Sequence, residues 1–187
     1  MLKIQNLPKS IRKQIGLKNT LLDLYKKASK CPHNMPDYEI LPMGKDADIL
    51  HIKVNTRPIP KGRPRIAIDD KMMMSALSMG MKGIHLFKKS VSLKTPKDTK
   101  DYESWIAHAG YMAMKNKESY NGCFTIHIDL YGLRQFSDID NCMKSIMDGL
   151  NGIAYKDDKL VKQASITFHD GEPAVIIRVS KFIQEHS

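Results

Sequence analysis

A strongly acidic stretch that carries a helical repeat constrains the fold of this chain more than any other part of the sequence. Apolar side chains recur in it every three or four residues, at Cys142, Met143, Ile146, Met147 and Leu150. This spacing predicts an amphipathic helix over residues 140–150 that buries its apolar stripe. Ser137 or Asp138 suits the N-cap, and Asn151 with Gly152 ends the helix. The outer face of the helix is then charged.

The charge of this stretch is opposite to that of the chain around it. Residues 137–158 contain five aspartates and two lysines, whereas the whole chain of 187 residues has a net charge of +10. A basic surface attracts phosphate, and carboxylates within it repel phosphate unless divalent cations lie between them. Hydrolysis of a phosphodiester by metal ions needs both features. The alternative interpretation is helix capping together with an ordinary surface ion pair between Lys144 and Asp148.

The same stretch resembles a known family. Residues 138–158, DIDNCMKSIMDGLNGIAYKDD, are similar to the signature of the RusA family of phage and prophage Holliday-junction resolvases. The resemblance extends to PIPKGRPR at residues 58–65 and to KTPKDTKDYE at residues 94–103, and it covers roughly residues 49–183. It implies that Asp138, Asp140 and Asp158 bind magnesium and are catalytic together with Lys144. The three carboxylates are therefore expected to converge.

The resemblance also implies a function. The family's activity would make this chain a Mg²⁺-dependent, structure-selective endodeoxyribonuclease that resolves Holliday junctions by paired phosphodiester hydrolysis during recombination and repair. Symmetric incision needs two active sites, so a C2 homodimer is implied. Branched DNA and Mg²⁺ are the expected partner and cofactor, with no nucleotide cofactor and no membrane contact. Two alternatives stay open: a branched-DNA-binding protein that cuts nothing, and a metal-dependent small-molecule phosphohydrolase.

Two further segments supply candidate DNA contacts. One is held extended by prolines, the other begins a helix, and together they carry the cations Arg57, Lys61, Arg63, Arg65, Lys94 and Lys97. Cations along an extended chain can follow a sugar-phosphate backbone, and a helix start attracts phosphate. An ordinary exposed loop has a similar composition. Phe136, just before the acidic stretch, either wedges between base pairs or anchors its loop to the core.

Alternating apolar and polar residues predict the strands. They occur at residues 50–54, 124–130 and 161–168, and an apolar run at residues 174–179 follows the Asp170-Gly171 turn. The last two strands are expected to pair as a hairpin. A second helix presents a stripe that runs from Tyr102 and Trp105 to Met112 and Ala113. The sequence thus predicts an α+β, RusA-like domain with a mixed sheet of about four strands, two main helices and a helical N-terminal extension.

The remaining features of the sequence concern the domain organisation and the cellular compartment of the protein. Residues 1–48 are expected to form a basic N-terminal extension and linker, and residues 49–187 the nuclease domain. Within the extension, residues 1–30 form either a DNA-contacting element or a helical arm packed on the core, and residues 31–48, which contain three prolines, form the linker. The Met-rich segment from Lys71 to Lys89 is either a flap or a packed insertion. Three cysteines without C-x-x-C spacing argue against disulfides or zinc. No apolar run is long enough to span a membrane and no signal peptide is recognised, so a cytoplasmic protein is expected.

Overall fold

The structure is a computed structural model that describes residues 23–44, 47–115, 117–132 and 138–184. Its strands, in chain order, are β1 (Tyr38–Ile40), β2 (Asp48–Val54), β3 (Arg65–Ile68), β4 (Val91–Lys94), β5 (Phe124–Tyr131), β6 (Val161–His169) and β7 (Ala174–Lys181). Its helices are α1 (Asp70–Ser78), α2 (Ile84–Ser90), α3 (Lys97–Met114) and α4 (Ile139–Leu150). Residues 23–28 are also helical. Among the described residues, no helix is both long and apolar enough to cross a membrane.

Five strands form one mixed sheet in the order β1-β2-β7-β5-β6. Strands β5 and β6 run parallel, and the other neighbours are antiparallel. The predicted α+β class with a mixed sheet is confirmed, with one strand more than expected. The extra strand, β1, lies in the proline-containing segment interpreted as a linker. Five residues without proline separate Pro36 from Pro42, and the middle three, Tyr38–Ile40, pair with the edge of β2.

The expected hairpin between the last two strands is wrong. Strand β5 lies between β6 and β7, because α4 connects β5 to β6 and a helical connection lets consecutive strands run parallel. The turn from β6 to β7 therefore passes the end of β5. There Gly132 has φ +65°, and a Cβ on it would lie 2.9 Å from the Gly171 carbonyl oxygen. Glycine is required by this crossing.

Two helices cover one face of the sheet. The buried core contains Ile52, Ile126 and Ile177 from the sheet, Ile106 from α3 and Ile146 from α4. Helices α3 and α4 touch closely where Gly149 faces α3: a Cβ there would lie 2.9 Å from the Glu103 carbonyl oxygen. The predicted stripe of α4 is confirmed, whereas Met112 of the α3 stripe is exposed. The core thus fixes α4 against both α3 and the sheet.

The described part of the N-terminal extension packs on α3. The Trp105 ring N–H donates to the His33 carbonyl oxygen at 3.3 Å, and His108 Nδ1 lies 2.7 Å from the Ala28 carbonyl oxygen. Tyr38 of β1 contacts the His108 ring edge-on. The division of the chain at residue 48 stays a prediction.

The Met-rich segment is a helical insertion closed by a two-stranded ribbon. Strands β3 and β4 pair antiparallel with each other and not with the main sheet, and α1, the 3-10 turn Gly80–Gly83 and α2 lie between them in sequence. Asp69 caps α1 by accepting from the Met72 N–H at 3.0 Å. Residues 65–94 are called the Met-rich lobe below.

Candidate functional site

The first carboxylate of the acidic stretch is the N-cap of helix α4. Asp138 has extended backbone angles, and its Oδ1 accepts from the Asn141 backbone N–H at 3.4 Å. The Asn141 side chain donates to the other oxygen, Oδ2, at 2.7 Å. Both oxygens are therefore held by the residue three positions on, and the negative charge lies where the helix dipole favours it. This arrangement accounts for the first aspartate and the asparagine of the Asp-x-Asp-Asn pattern, but not for Asp140.

Asp140 and Lys144 lie one turn apart on the outer face of α4. Both side chains are exposed. Within the described chain, neither side chain takes part in an ion pair, and the predicted pair between Lys144 and Asp148 does not form. An exposed carboxylate and an exposed ammonium without partners are available to a ligand.

The second pair of aspartates lies on the turn that enters β6. Asp157 caps the short 3-10 helix Asp158–Leu160 and accepts from the Lys159 backbone N–H at 3.0 Å, a bond that lowers the pKa of its carboxyl. Burial raises the pKa of Asp158, and the hydrogen bond and charge of Asp157 and the charge of Asp148 raise it further. The Asp158 carboxyl thus lies near two other carboxylates, Asp157 on the same turn and Asp148 on α4, and a bound cation would offset their effect.

The structure does not gather the predicted metal ligands. Among the described residues, no group of three or more His, Cys, Asp or Glu side chains is placed where it could hold a metal ion. Asp138 is held by Asn141, and Asp158 faces Asp157 and Asp148. The expected convergence of Asp138, Asp140 and Asp158 is therefore absent. Their carboxylate oxygens are the donors Mg²⁺ prefers, so the chemistry of the set fits this ion although its arrangement does not.

An extended cationic segment docks against helix α4. Residues 58–65 are named the basic segment, and α4, which carries Asp140 and Asp148, is named the acidic helix. The Lys61 backbone N–H donates to the Asn141 carbonyl oxygen at 2.8 Å, and the next N–H, of Gly62, donates to Thr99 Oγ1 at 3.1 Å. Pro58 is buried. The segment is therefore fixed to the first turns of both α4 and α3, beside the capped Asp138.

Lys61 adds a charged link between the same elements. Its Nζ donates to Glu103 Oε1 on α3 at 2.6 Å and also to Asp148 on α4. The three side chains keep only 22%, 22% and 28% of their surface exposed. Burial disfavours the charged lysine, but the hydrogen bonds and charges of Asp148 and Glu103 outweigh burial and raise the pKa of Lys61. Lys61 thus joins two helices, and its predicted contact with DNA stays untested.

The other predicted DNA-binding cations lie at the surface. Arg57, Arg63, Arg65 and Lys94 are exposed, and Arg65 lies directly opposite Lys94 in the β3–β4 ribbon. Lys97 is exposed too and pairs with Asp101 at 2.7 Å, which raises its pKa. Two cations side by side repel each other unless an anion lies between them. Phe136 lies outside the described residues.

One cysteine, Cys142, lies on the buried face of helix α4. Burial, and secondly the charge of Asp138, raise the pKa of the Cys142 thiol to about 11. The thiol therefore stays protonated at neutral pH and is not a nucleophile. The turn is anchored nearby by Tyr155, whose hydroxyl donates to the Met147 carbonyl oxygen at 2.9 Å and whose ring stacks on Phe124.

Sequence reasoning missed the residues that hold the two charged segments together. Asn141, Thr99, Glu103 and Asp148 make these contacts, and Lys61 lies 42 residues from Glu103 and 87 residues from Asp148. No local periodicity reports a contact over such separations. Only the asparagine carried a signal, because a side chain at the third position of a helix can reach back to its N-cap.

Comparison with known proteins assigns the chain to a family. A family model described as Endodeoxyribonuclease RusA matches residues 55–180, about two thirds of the chain. The matched range contains the basic segment, helix α4 and the Asp157–Asp158 turn. Among curated proteins, no match to the chain was found.

Proposed function

Because the chain belongs to the RusA endodeoxyribonuclease family, we propose that it is a Mg²⁺-dependent, structure-selective enzyme that resolves four-way DNA junctions. It cuts by paired phosphodiester hydrolysis, as a C2 homodimer, in DNA recombination and repair. The family assignment itself makes the chain a nuclease that acts on DNA, and the ion, the four-way substrate, the pairing of the cuts and the cellular process are the proposed refinements.

One observation supports this proposal most directly. The basic segment and the acidic helix, far apart in sequence, are joined by the bond from the Lys61 backbone N–H to the Asn141 carbonyl oxygen. The exposed Arg63 and Arg65 then lie on the segment that is docked beside the carboxylates, and the exposed Arg57 directly precedes it. A phosphate backbone held by these cations passes close to the acids, which is the arrangement that hydrolysis of a phosphodiester requires.

Each candidate catalytic residue has a proposed role. Asp138, Asp140 and Asp158, which the described arrangement does not bring together, would have to converge to hold the Mg²⁺, and the ion would then activate water and bear part of the phosphate charge. Asn141 orients Asp138 by fixing both of its oxygens. Lys144, exposed one turn after Asp140, neutralises a phosphate oxygen or protonates the leaving oxygen.

Contacts with the DNA backbone are assigned to the exposed cations. The proposed phosphate contacts that position the junction come from Arg57 just before the basic segment, Arg63 and Arg65 on it, Lys94 before α3 and Lys97 at the start of α3. The Arg65–Lys94 pair is the best placed of them, because a phosphate between its members removes their mutual repulsion. Lys61 and Phe136 remain predicted DNA contacts.

A second candidate is a junction-binding protein that does not cut. Asp138 and Asp157 already serve as caps, and the described residues contain no metal-holding group of three. The aspartates would then be structural, and the exposed cations alone would bind the junction.

The experiment that separates these candidates compares wild type with Asp140→Asn on a four-way junction, a fork and plain duplex, with Mg²⁺ and with a chelator. Asp140 suits the test because its side chain is exposed and has no partner among the described residues, so its substitution leaves the fold intact. Asp37→Asn, at an aspartate before β1 that is also exposed, is the matched control.

The proposal predicts cutting of the junction by wild type and Asp37→Asn in Mg²⁺ only, and a loss of about 10²-fold or more in Asp140→Asn with binding retained. Tight junction binding without cutting by wild type would instead support the binding protein. Equal cutting by wild type and Asp140→Asn would remove Asp140 from the active site.

A further inference from the structure

Exposed apolar side chains concentrate in the Met-rich lobe. Eighteen large hydrophobic residues are exposed in the described part of the chain, and ten of them belong to residues 65–94. A monomer rarely exposes so much apolar surface in one region, and such patches mark places where another molecule binds. The apolar residues of the lobe thus mark an interaction surface to which the proposed nuclease site assigns no role, in contrast to Arg65 and Lys94 of the same lobe.

The ribbon of the lobe has two unlike faces. Because side chains alternate along a strand, the cross-strand pairs Ile66–Leu93 and Ile68–Val91 share one face, and Arg65–Lys94 shares the other with Ala67–Ser92. The four aliphatic side chains are 41% to 72% exposed. They carry no charge, whereas the opposite face carries two cations. We call Ile66, Ile68, Val91 and Leu93 the apolar ribbon face.

We propose that the apolar ribbon face binds the same face of a second copy of this chain and forms the C2 dimer interface. The inference rests on the proposed function, because paired incision needs a second active site. A two-fold interface brings each residue patch against its own copy. Four uncharged aliphatic side chains suit such self-pairing, whereas the Arg65–Lys94 face would repel its copy and attract a polyanion.

The rest of the lobe supplies the remaining contact area. A stable interface buries about 800 Å² on each partner, more than four side chains provide. Exposed residues of the adjoining helices and turn extend the apolar surface, among them Met74, Leu77, Met81 and Phe87. Methionine side chains adapt to a partner surface because they are unbranched and flexible.

The competing surface is the free edge of strand β6. This strand forms one edge of the main sheet over nine residues, and a second copy could add to it by strand pairing. Its exposed residues include Lys162, Gln163 and Thr167, however, with Phe168 as the only exposed large hydrophobic residue of the described strand. The ribbon is the more apolar of the two surfaces.

Pairing of the ribbons has a consequence for the nuclease. Each β3 strand continues directly from the basic segment, which is docked on α4 through Lys61 and Asn141. Two ribbons joined by their apolar faces turn both Arg65–Lys94 faces outward. The dimer then presents two cationic surfaces, each connected to its own acidic helix.

The test measures the mass of the full-length protein in solution by sedimentation, without DNA and without metal. Wild type is compared with Leu93→Glu and Ile66→Glu on the apolar ribbon face, and with Phe168→Glu on β6 as the control. All three positions are exposed, and far-UV circular dichroism checks that each variant is folded. If a glutamate variant does not fold, Leu93→Gln and Ile66→Gln replace it.

We expect a wild-type dimer, a dimer of Phe168→Glu, and dissociation constants raised about 100-fold or more in the two ribbon variants. A monomeric wild type, ribbon variants that dimerise as wild type does, or loss of the dimer in Phe168→Glu alone would overturn the interface. Junction cutting is measured separately on wild type. Failure to cut with an intact ribbon dimer would refute the nuclease and leave the interface. Junction cutting by a wild type that is monomeric, or whose dimer is unaffected by the ribbon substitutions, would refute only the interface.

Discussion

Replacing Lys61 by methionine should destabilise the protein by about 2 kcal/mol. Methionine keeps most of the apolar stem and removes the ammonium that binds Glu103 and Asp148. Exposed ion pairs contribute about 0–1 kcal/mol, whereas removing one partner of a fully buried pair costs about 3–5 kcal/mol. The Lys61 group lies between these limits, because roughly a quarter of each side chain still meets water, which screens the charges.

Denaturant unfolding and thermal unfolding both measure this loss. In a domain of this size about 2 kcal/mol corresponds to a fall of roughly 4–8 °C in Tm. Lys97→Met is a closely matched control, since Lys97 pairs with Asp101 at a similar distance, 2.7 Å, but its side chain is 86% exposed. The control should unfold as wild type does. Equal losses in Lys61→Met and Lys97→Met would refute the claim that Lys61 joins α3 and α4.

Three further predictions concern Lys61, Asn141 and Arg65. The pKa of Lys61 is raised in the folded state, so the stability that its charge contributes is complete below the unfolded-state pKa of about 10.4 and is lost as the pH rises through the folded-state pKa. The difference in unfolding free energy between wild type and Lys61→Met should therefore shrink when urea titrations are repeated at alkaline pH. A difference that stays constant with pH would contradict this role of the ammonium. Asn141→Ala removes the side-chain bond to Asp138 Oδ2, keeps the backbone N–H bond to Oδ1, and should cost about 1 kcal/mol in unfolding and slow junction cutting. Asn121→Ala, at an exposed position before β5, should do neither. Unchanged cutting by Asn141→Ala would show that its side chain does not orient Asp138. Arg65→Ala should reduce the slope of a plot of log DNA affinity against log salt concentration by about 1, because one phosphate contact is lost. The control Arg178→Ala, at an exposed position on β7, should leave the slope unchanged. Equal slopes for wild type and Arg65→Ala would exclude a phosphate contact by Arg65.

Local signals predicted the elements that present the charged residues. The apolar spacing and the Asp138 cap placed α4 within one residue of its observed start, because both act within a few residues of the chain. Strands β2 and β5 and helix α3 were identified for the same reason. Strand β1 was missed because prolines on both sides concealed three residues that pair at the sheet edge.

Contacts between distant segments were not predictable in the same way. The hairpin expectation failed because the pairing partner of a strand depends on the whole sheet, and β5 takes the place between β6 and β7. Lys61 looked like one more exposed cation, and only the packing of α3 on α4 brings Glu103 and Asp148 to it. The alternation of residues 65–68 and 91–94 was too short to predict a ribbon across a helical insertion.

The most direct test of the nuclease account uses a supercoiled plasmid that extrudes a cruciform, which contains one four-way junction. Wild-type protein with Mg²⁺ should convert the plasmid to the linear form, because two cuts made in one binding event open both strands, and a chelator should abolish the reaction. Nicked circles without linear product would contradict paired hydrolysis, and a plasmid left supercoiled in Mg²⁺ would contradict the nuclease itself.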